Sequence, residues 1–511
     1  MSPRIINAVV ILILVGLSLA IFANSMTKPL GRDEQMYCTG GVLLAQGKMI
    51  YRDFSYAAQL PYHPLLYAAL FRILNTNHYL LVGRMVSVVC DILVLLCIVG
   101  IYRHIFGKFT ISGTLLGLAG ALLYVFNPLV DYANGFAWNH DIVSLCVVLS
   151  FWLYVSTDFT QKSRYWRIAA IGGLLTLATC MRITTALVQL LFFAALVSQP
   201  AESIKQRIKT ALPFLIATAV VLIWPVRVIA SAWRAFFLNL FWIPRMYGKW
   251  LHEVGMFHGK LGLTLSSIKT PGYFVLILMA TYLCVIVLWG RRKLTVSEKR
   301  NVLFAALLVL MFFVIALIPP TMWKQYLAMP VPFLIISFAY PLLYLRELAD
   351  KDGRMKHFKI TTAVIAVCVV VAVVSYRVVL YRNVMLFYPE GWTPIQVHKI
   401  SQDISEKTKE PKLILTLAPL FALEGGCEIY TELSCGSIIY RIGDRLSAWN
   451  RDITHTVGPR SLAKLVEKEP PSAIIINVEM EFLEEDLIKT AVKADWERKV
   501  YENGPVVYFR R

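Results

Sequence analysis

Acidic residues are scarce in this chain. Asp and Glu number 32 in 511 residues against 51 Lys and Arg, and only 16% of residues are charged. Hydrophobic residues make up 57%, with a mean hydropathy of +0.61, which excludes a soluble domain of ordinary composition. A Walker loop, a dinucleotide fingerprint and a serine nucleophile elbow are missing, so cytosolic nucleotide chemistry has no support. The net charge of +19 does not point to nucleic acid, because the basic residues stand in short runs between apolar segments, where sidedness in a membrane puts them. The same charge favours anionic lipid headgroups. Cysteine gives little: six of nine (Cys90, Cys97, Cys146, Cys180, Cys284, Cys368) lie in apolar runs, and none has zinc-site spacing. Only Cys427 and Cys435 look like a pair, in a region read as lying outside the cytoplasm, where a disulfide is permitted. There is no internal repeat and no low-complexity tract.

What is present is a succession of apolar runs. A span needs about 20 apolar residues, and about eleven segments approach this: 5–23, 79–102, 111–126, 138–157, 167–180, 183–197, 212–230, 273–289, 302–318, 327–344 and 361–379. The first has no convincing cleavage site and reads as an uncleaved anchor. The fifth and sixth are short and read as a tilted or broken pair, with Met181-Arg182 at the turn.

With the N-terminus placed in the cytoplasm, alternate loops carry Arg103/Lys108, Lys162/Arg164, Lys205/Arg207/Lys209, Arg291/Arg292/Lys293/Lys299/Arg300 and Arg346/Lys351/Arg354/Lys356/Lys359. Each is basic, as cytoplasmic loops are. The C-terminal region then lies outside the cell membrane, together with the loop 24–78. In that loop, 33–46 reads as a helix lying in the interface and ended by Gly47, and Pro61 and Pro64 suit the start of a second such helix through Tyr67 and Phe71. After about residue 385 the composition changes. Segments 412–417, 473–478 and 506–509 read as short buried strands, with helices at 401–409 and 483–492. The expectation is a polytopic α-helical membrane domain over 1–385 and a small extracytoplasmic α/β domain over 386–511.

The sharpest chemical signal is Asp33-Glu34, two adjacent carboxylates just beyond the first span. Neighbours on a helix point about 100° apart, so one can face a substrate while the other orients it or a cation. The plainer reading is that Asp33 caps the helix, although Met36 at the N3 position would then leave no capping box. Carboxylates beside hydrocarbon are expensive to keep, and desolvation plus a second acid raise a pKa toward the range of a general base. Arg84 and Asp91 share a helix face and can pair with each other or with neighbours, and Asn139-His140-Asp141 offers a second acidic site or a headgroup-level cap. Basic residues on the outer side run against the general charge bias. Arg52, Arg182, Arg234, Arg245, Lys249 and Lys324 are candidates for a phosphate or are interfacial anchors, and Trp242, Tyr247 and Trp250 fit an aromatic belt near Arg245. His63 and His140 have no third ligand at metal spacing.

At these residues the chain resembles the GT-C superfamily of membrane glycosyltransferases, especially the protein O-mannosyltransferase and lipid A aminoarabinose transferase types. Asp33-Glu34 is similar to the acidic motif of their first outer loop. Gly47 to Tyr51, Pro61 to Tyr67, and Trp323-Lys324-Gln325-Tyr326 through Pro330 are similar to three further short motifs. Two departures are His63, where the aminoarabinose enzymes have a lysine, and Tyr62-His63-Pro64 in place of a double proline. The resemblance implies a bacterial inner-membrane enzyme with a sugar donor on a polyprenyl phosphate and an acceptor hydroxyl on a glycan, lipid or protein. Asp33 would accept the hydroxyl proton, with Glu34 beside it, and the anomeric carbon would invert. His63, Arg182, Arg245, Lys324 and Tyr326 would serve the donor phosphate, alone or with a divalent metal ion. The rival readings are a lipid or glycan transporter or flippase, which should show repeated halves with broken helices, and a ligase that moves a whole lipid-linked glycan.

Overall fold

The computed structural model describes residues 3–200, 203–289, 296–352, 355–493, 496–502 and 504–511; Arg291, Arg292, Lys293 and Arg354 of the basic loops lie outside them. Apolar runs fold as helices because a helix closes its own backbone hydrogen bonds in a medium that offers none. Helix α1 (Pro3–Thr27) is followed by α2 (Arg32–Ala45) and α3 (Tyr62–Leu74), then by α4 (Tyr79–Phe106), α5 (Thr110–Val125) and α6 (Pro128–Ala133). Next come α7 (His140–Val155), α8 (Arg164–Thr179), α9 (Ala186–Val197), α10 (Ile204–Ser231), α11 (Trp233–Phe237) and α12 (Ile243–Glu253). The membrane part closes with α13 (Lys260–Ile268), α14 (Pro271–Trp289), α15 (Val296–Leu317), α16 (Pro330–Ser337), α17 (Ala339–Asp352), α18 (Met355–Ser375) and α19 (Val378–Arg382).

Among the described residues six helices are long and apolar enough to cross a membrane, or seven if α13 and α14, bent by 84° to each other, form one span. One of these six, residues 79–125, runs to 47 residues, and as a single rod it would be about 70 Å long. It is a hairpin. A Cβ on Gly113 of α5 would stand 2.7 Å from the Phe106 side chain, and one on Gly117 would stand 3.0 Å from the Cα of Val99, so α5 runs back along α4 in backbone contact. The remaining candidates are shorter: α7 and α8 have 16 residues each and α9 has 12. Helices α8 and α9 are separate, with Met181-Arg182 in the turn between them. Large apolar side chains such as Leu12, Val220, Ile223, Leu310 and Val367 are exposed along α1, α10, α15 and α18, the surface that hydrocarbon would cover.

The loops gather at two ends. Lys108 pairs with Asp350 at 2.9 Å, Arg346 lies over Phe109, and His104 Nε2 is 3.1 Å from Val155 O, which brings three of the basic turns together. At the other end the first loop meets the C-terminal domain: Leu420 N donates to Gln35 Oε1 at 3.0 Å, and Leu80 N to Glu424 Oε1 at 2.6 Å.

That domain starts with α20 (Thr393–Lys407) and carries a five-stranded sheet, β1 (Leu413–Thr416), β2 (Glu428–Ile429), β3 (Ala473–Ile476), β4 (Glu497–Val500) and β5 (Val506–Phe509), in the order β2-β1-β3-β5-β4. β1 is parallel to β2 and β3, while β5 is antiparallel to β3 and β4. Helix α21 (Pro419–Glu424) follows β1. α22 (Ser437–Tyr440), α23 (Ala448–Thr454) and α24 (Pro459–Lys468) precede β3, and α25 (Glu481–Lys493) follows it. The three expected strands are present, and the two missed are the edges: β2 has two residues, and β4 is largely exposed, so neither shows a buried apolar run. Cys427 and Cys435 are free thiols, both buried, and Cys435 Sγ lies 3.1 Å from Ser55 O.

Candidate active-site cavity

Helix α2 differs from the expected interfacial helix. Residues Glu34 to Leu43 are all buried, because α3, α4 and α21 pack around it. It also starts two residues earlier than the capping argument assumed. Gly31 is the N-cap, Asp33 falls at N2 and Glu34 at N3, where its Oε2 accepts Gly31 N at 2.7 Å. The N3 acid thus closes the helix start, and Asp33 does not cap.

This phase sends the two acids to different places. Glu34 is fully buried in a two-point ion pair with Arg84, Nε to Oε1 and Nη2 to Oε2, each 2.9 Å. It also accepts Ala137 N at 2.7 Å, while Arg84 donates to the carbonyls of Ser25, Lys28 and Pro29. Arg84 therefore serves Glu34, not Asp91, which accepts from Tyr124 Oη at 2.5 Å and Asn134 Nδ2 at 2.6 Å. Asp33, half-buried, lines a cavity of about 380 Å³. Its carboxylate has no hydrogen bond or ion pair among the described residues. Burial, and then the Glu34 charge, push it up to about 6 against the pull of Arg32 and Arg441.

The cavity wall also contains Tyr37, Gln59, Trp138, Asn139, His140, Arg182, Tyr247, Trp323, Tyr326 and Arg441. Asn139 fixes three of its pieces together, donating from Nδ2 to Gln59 Oε1 at 2.9 Å and to Met181 O at 2.8 Å. Arg182, on the turn after α8, lays its guanidinium over the Tyr326 ring at 4.7 Å. It forms no ion pair among the described residues, so its charge is available to the cavity.

Other expected site residues fall elsewhere. His63 is fully buried behind the wall, against Tyr37 and Tyr67 with ring centroids 4.6 and 4.2 Å away, and burial pushes its imidazole down to about 3. It is a neutral packing residue there, and not a cation facing a phosphate. Arg245 is exposed on α12 and absent from the cavity wall that Ile243, Pro244 and Tyr247 of the same helix help to form. Lys324 lies over the Tyr132 ring at 5.7 Å, next to the cavity. His140 lines the cavity, while Asp141 is buried behind it and accepts Gly135 N at 2.9 Å. Tyr247 and Trp250 form no belt around Arg245 but pack on Arg441, whose Nη1 donates to Tyr247 Oη at 2.9 Å. No group of three or more His, Cys, Asp or Glu suited to a metal ion stands among the described residues, and the donors at this wall, Asp33 and His140, are too few for such a set.

Sequence reasoning missed Gln59, Asn139 as a linker, and above all Arg441. Nothing in the local sequence marks Arg441: it comes from the C-terminal domain, its side chain 2% exposed, held by Glu479 at 2.9 Å.

A set of long apolar helices with a charged cavity beside a small five-stranded sheet is the arrangement to compare with known proteins. Residues 59–228 match the family model for dolichyl-phosphate-mannose-protein mannosyltransferase. This stretch includes His63, Arg84, Asn139 to Asp141 and Arg182, but not Asp33 or Tyr326. The chain has the fold of ArnT from Cupriavidus metallidurans. The structure of ArnT bound to undecaprenyl phosphate superposes with a TM-score of 0.63 at 12% identity, covering 98% of each chain. The apo state gives 0.63 at 13%, covering 99% of this chain and 98% of that one. No curated protein matches the chain by sequence. The fold is that of the GT-C superfamily of membrane glycosyltransferases.

Proposed function

We propose that this chain is an inverting glycosyltransferase of the outer face of a bacterial inner membrane, taking a sugar from a polyprenyl-phosphate donor to an acceptor hydroxyl. In this reading the chain crosses the membrane eleven times, with its N-terminus in the cytoplasm and residues 386–511 outside. The observation that carries the reading is one cavity wall bearing both a carboxylate and a guanidinium that are free of ion pairs among the described residues, Asp33 and Arg182. The donor fold match supports it, since the ArnT structure of the same fold holds undecaprenyl phosphate.

Asp33 Oδ accepts the proton of the acceptor hydroxyl as the oxygen attacks the anomeric carbon. The bond from that carbon to the phosphate oxygen breaks on the opposite face, and the polyprenyl phosphate leaves with the electron pair. Arg182, steadied by the Tyr326 ring, stabilises the negative charge that grows on the phosphate, and His140 lies within the same wall. Glu34 does not touch the reactants. It positions Asp33 by holding the start of α2 to Arg84 and to Ala137 N.

The test is sugar release and transfer by purified wild type and Asp33→Asn across a panel of radiolabelled polyprenyl-phosphate sugars, with the anomeric configuration of the product read by NMR. Turnover by wild type, its loss in the variant and an inverted product are expected. Equal turnover by Asp33→Asn, or retention of configuration, would overturn the mechanism.

A further inference from the structure

A second cavity, of about 470 Å³, lies between α2 and the C-terminal sheet and shares Gly31 and Arg32 with the first. Arg32, Gln35, Phe421, Asn477, Glu479 and Tyr501 are among its lining residues. We propose that it holds the carbohydrate portion of the acceptor, presenting one hydroxyl past Arg32 to Asp33. This rests on the glycosyl-transfer reading above and adds the chemical class and seat of the acceptor.

The position follows from the sheet. β1 and β3 are parallel neighbours, and the chain leaves β1 into α21, which packs on α20, and leaves β3 into α25, which packs on α24. In open α/β sheets ligands lodge outside the carboxyl ends of such strands. Leu417 and Ala418 after β1, and Asn477 to Glu479 after β3, are what this cavity meets.

The loop after β3 is built to hold a side chain still. Asn477 adopts a left-handed φ of 63°, which asparagine tolerates. Glu484 holds the turn, its carboxylate accepting the backbone N–H groups of Asn477, Val478 and Glu479 at 2.7, 3.0 and 3.0 Å. The loop delivers Glu479 between the two cavities. There its carboxylate pairs with Arg32 Nε at 3.0 Å and Arg441 Nη2 at 2.9 Å, and accepts Ser437 Oγ at 2.5 Å. Arg32 immediately precedes Asp33, so the partition between the cavities and the carboxylate of the first share one turn of α2.

The lining chemistry suits a polyol. Gln35 Oε1 accepts Leu420 N and Asn477 Nδ2 donates to Gly504 O, which leaves Gln35 Nε2 as a donor and Asn477 Oδ1 as an acceptor for a hydroxyl, while Phe421 and Tyr501 supply apolar faces. A phosphate would have to compete with Glu479 for Arg32, which disfavours an anionic occupant. An acyl chain would cover Gln35 Nε2 without giving it a partner.

Val478 is half-buried at this cavity and has no role in the first. The full-length chain carrying Val478→Cys, in nanodiscs free of sugar detergents, is labelled with a maleimide in the presence of maltose, chitobiose or core oligosaccharide of lipopolysaccharide. At least one sugar is expected to slow labelling severalfold, and Asp33→Asn added to the same chain is expected to keep that protection. A second variant, Val478→Trp, fills the space and is expected to raise KM for the protecting sugar as acceptor about tenfold, with the release of donor sugar to water unchanged. Protection by none of the three sugars overturns the proposal, as does an unchanged acceptor KM in Val478→Trp. If a sugar protects Val478→Cys while wild type releases no sugar from any donor, the seat stands and the glycosyl-transfer reading falls.

Discussion

Glu34 and Arg84 meet through two parallel 2.9 Å hydrogen bonds with neither side chain exposed to solvent. This pair joins the start of α2 to the fourth helix and decides which of two adjacent acids is left for the cavity. Removing one partner strands the other's charge, which costs about 3–5 kcal/mol, whereas replacing both by apolar residues of similar size is close to neutral. Glu34→Gln and Arg84→Met should each lower the unfolding temperature markedly, and Glu34→Leu with Arg84→Met should recover only part of it, because Gly31 N, Ala137 N and the carbonyls of Ser25, Lys28 and Pro29 also lose their partners. Thermal unfolding of the detergent-solubilised protein measures this.

Asp33→Asn removes a general base without opening a cavity. Transfer should fall about 10²–10⁴-fold in kcat with little change in donor KM, the range that acid–base catalysis contributes. The wild-type rate should rise with pH through about 6, as the carboxyl that burial has pushed up loses its proton. The stability sign is the opposite. The folded chain holds this proton more tightly than the unfolded one, where the value is 3.8, so wild type loses stability as pH rises from about 4 through 6. Asp33→Asn should therefore be the more stable protein at pH 8 and show no such gain at pH 4.

Arg182→Gln should lower kcat by about 10²–10³-fold, the scale of losing one electrostatic contact made in the transition state. Tyr326→Phe keeps the ring beneath the guanidinium and should cost much less. Single-turnover rates with whichever donor of the panel the wild type turns over separate the two.

Arg441→Gln takes a positive charge away from Asp33 and should move the acid limb of the pH–rate profile upward from about 6. Glu479→Gln, which weakens the hold on Arg441 without deleting it, should shift the limb less. A purely structural role for Arg441 would lower the rate at every pH and leave the limb in place.

His63→Phe replaces a neutral imidazole packed between Tyr37 and Tyr67 with a ring of similar shape. Donor KM should stay within about threefold of wild type, since a buried uncharged ring contributes no electrostatic hold on phosphate. A large rise in KM would restore His63 to the phosphate site.

The sequence by itself determined that the chain is a membrane protein and where most of its helices run, and it singled out Asp33-Glu34 as the pair to examine. Insertion sums apolar surface over consecutive residues, so each helix is announced by its own stretch. The buried strands β1, β3 and β5 were legible for the same reason, while the exposed edge β4 and the two-residue β2 were not. Arg182 could be found as a basic residue at a turn on the side where few occur. The tertiary structure decided what depends on partners distant in the chain. A two-residue shift in the start of α2 turned Glu34 onto Arg84 and Asp33 into the cavity, and burial made His63 a neutral ring. Only the fold brings Arg441 and Glu479 of the C-terminal domain up to that cavity, because an ion pair forms by proximity in space, which spacing along the chain does not encode.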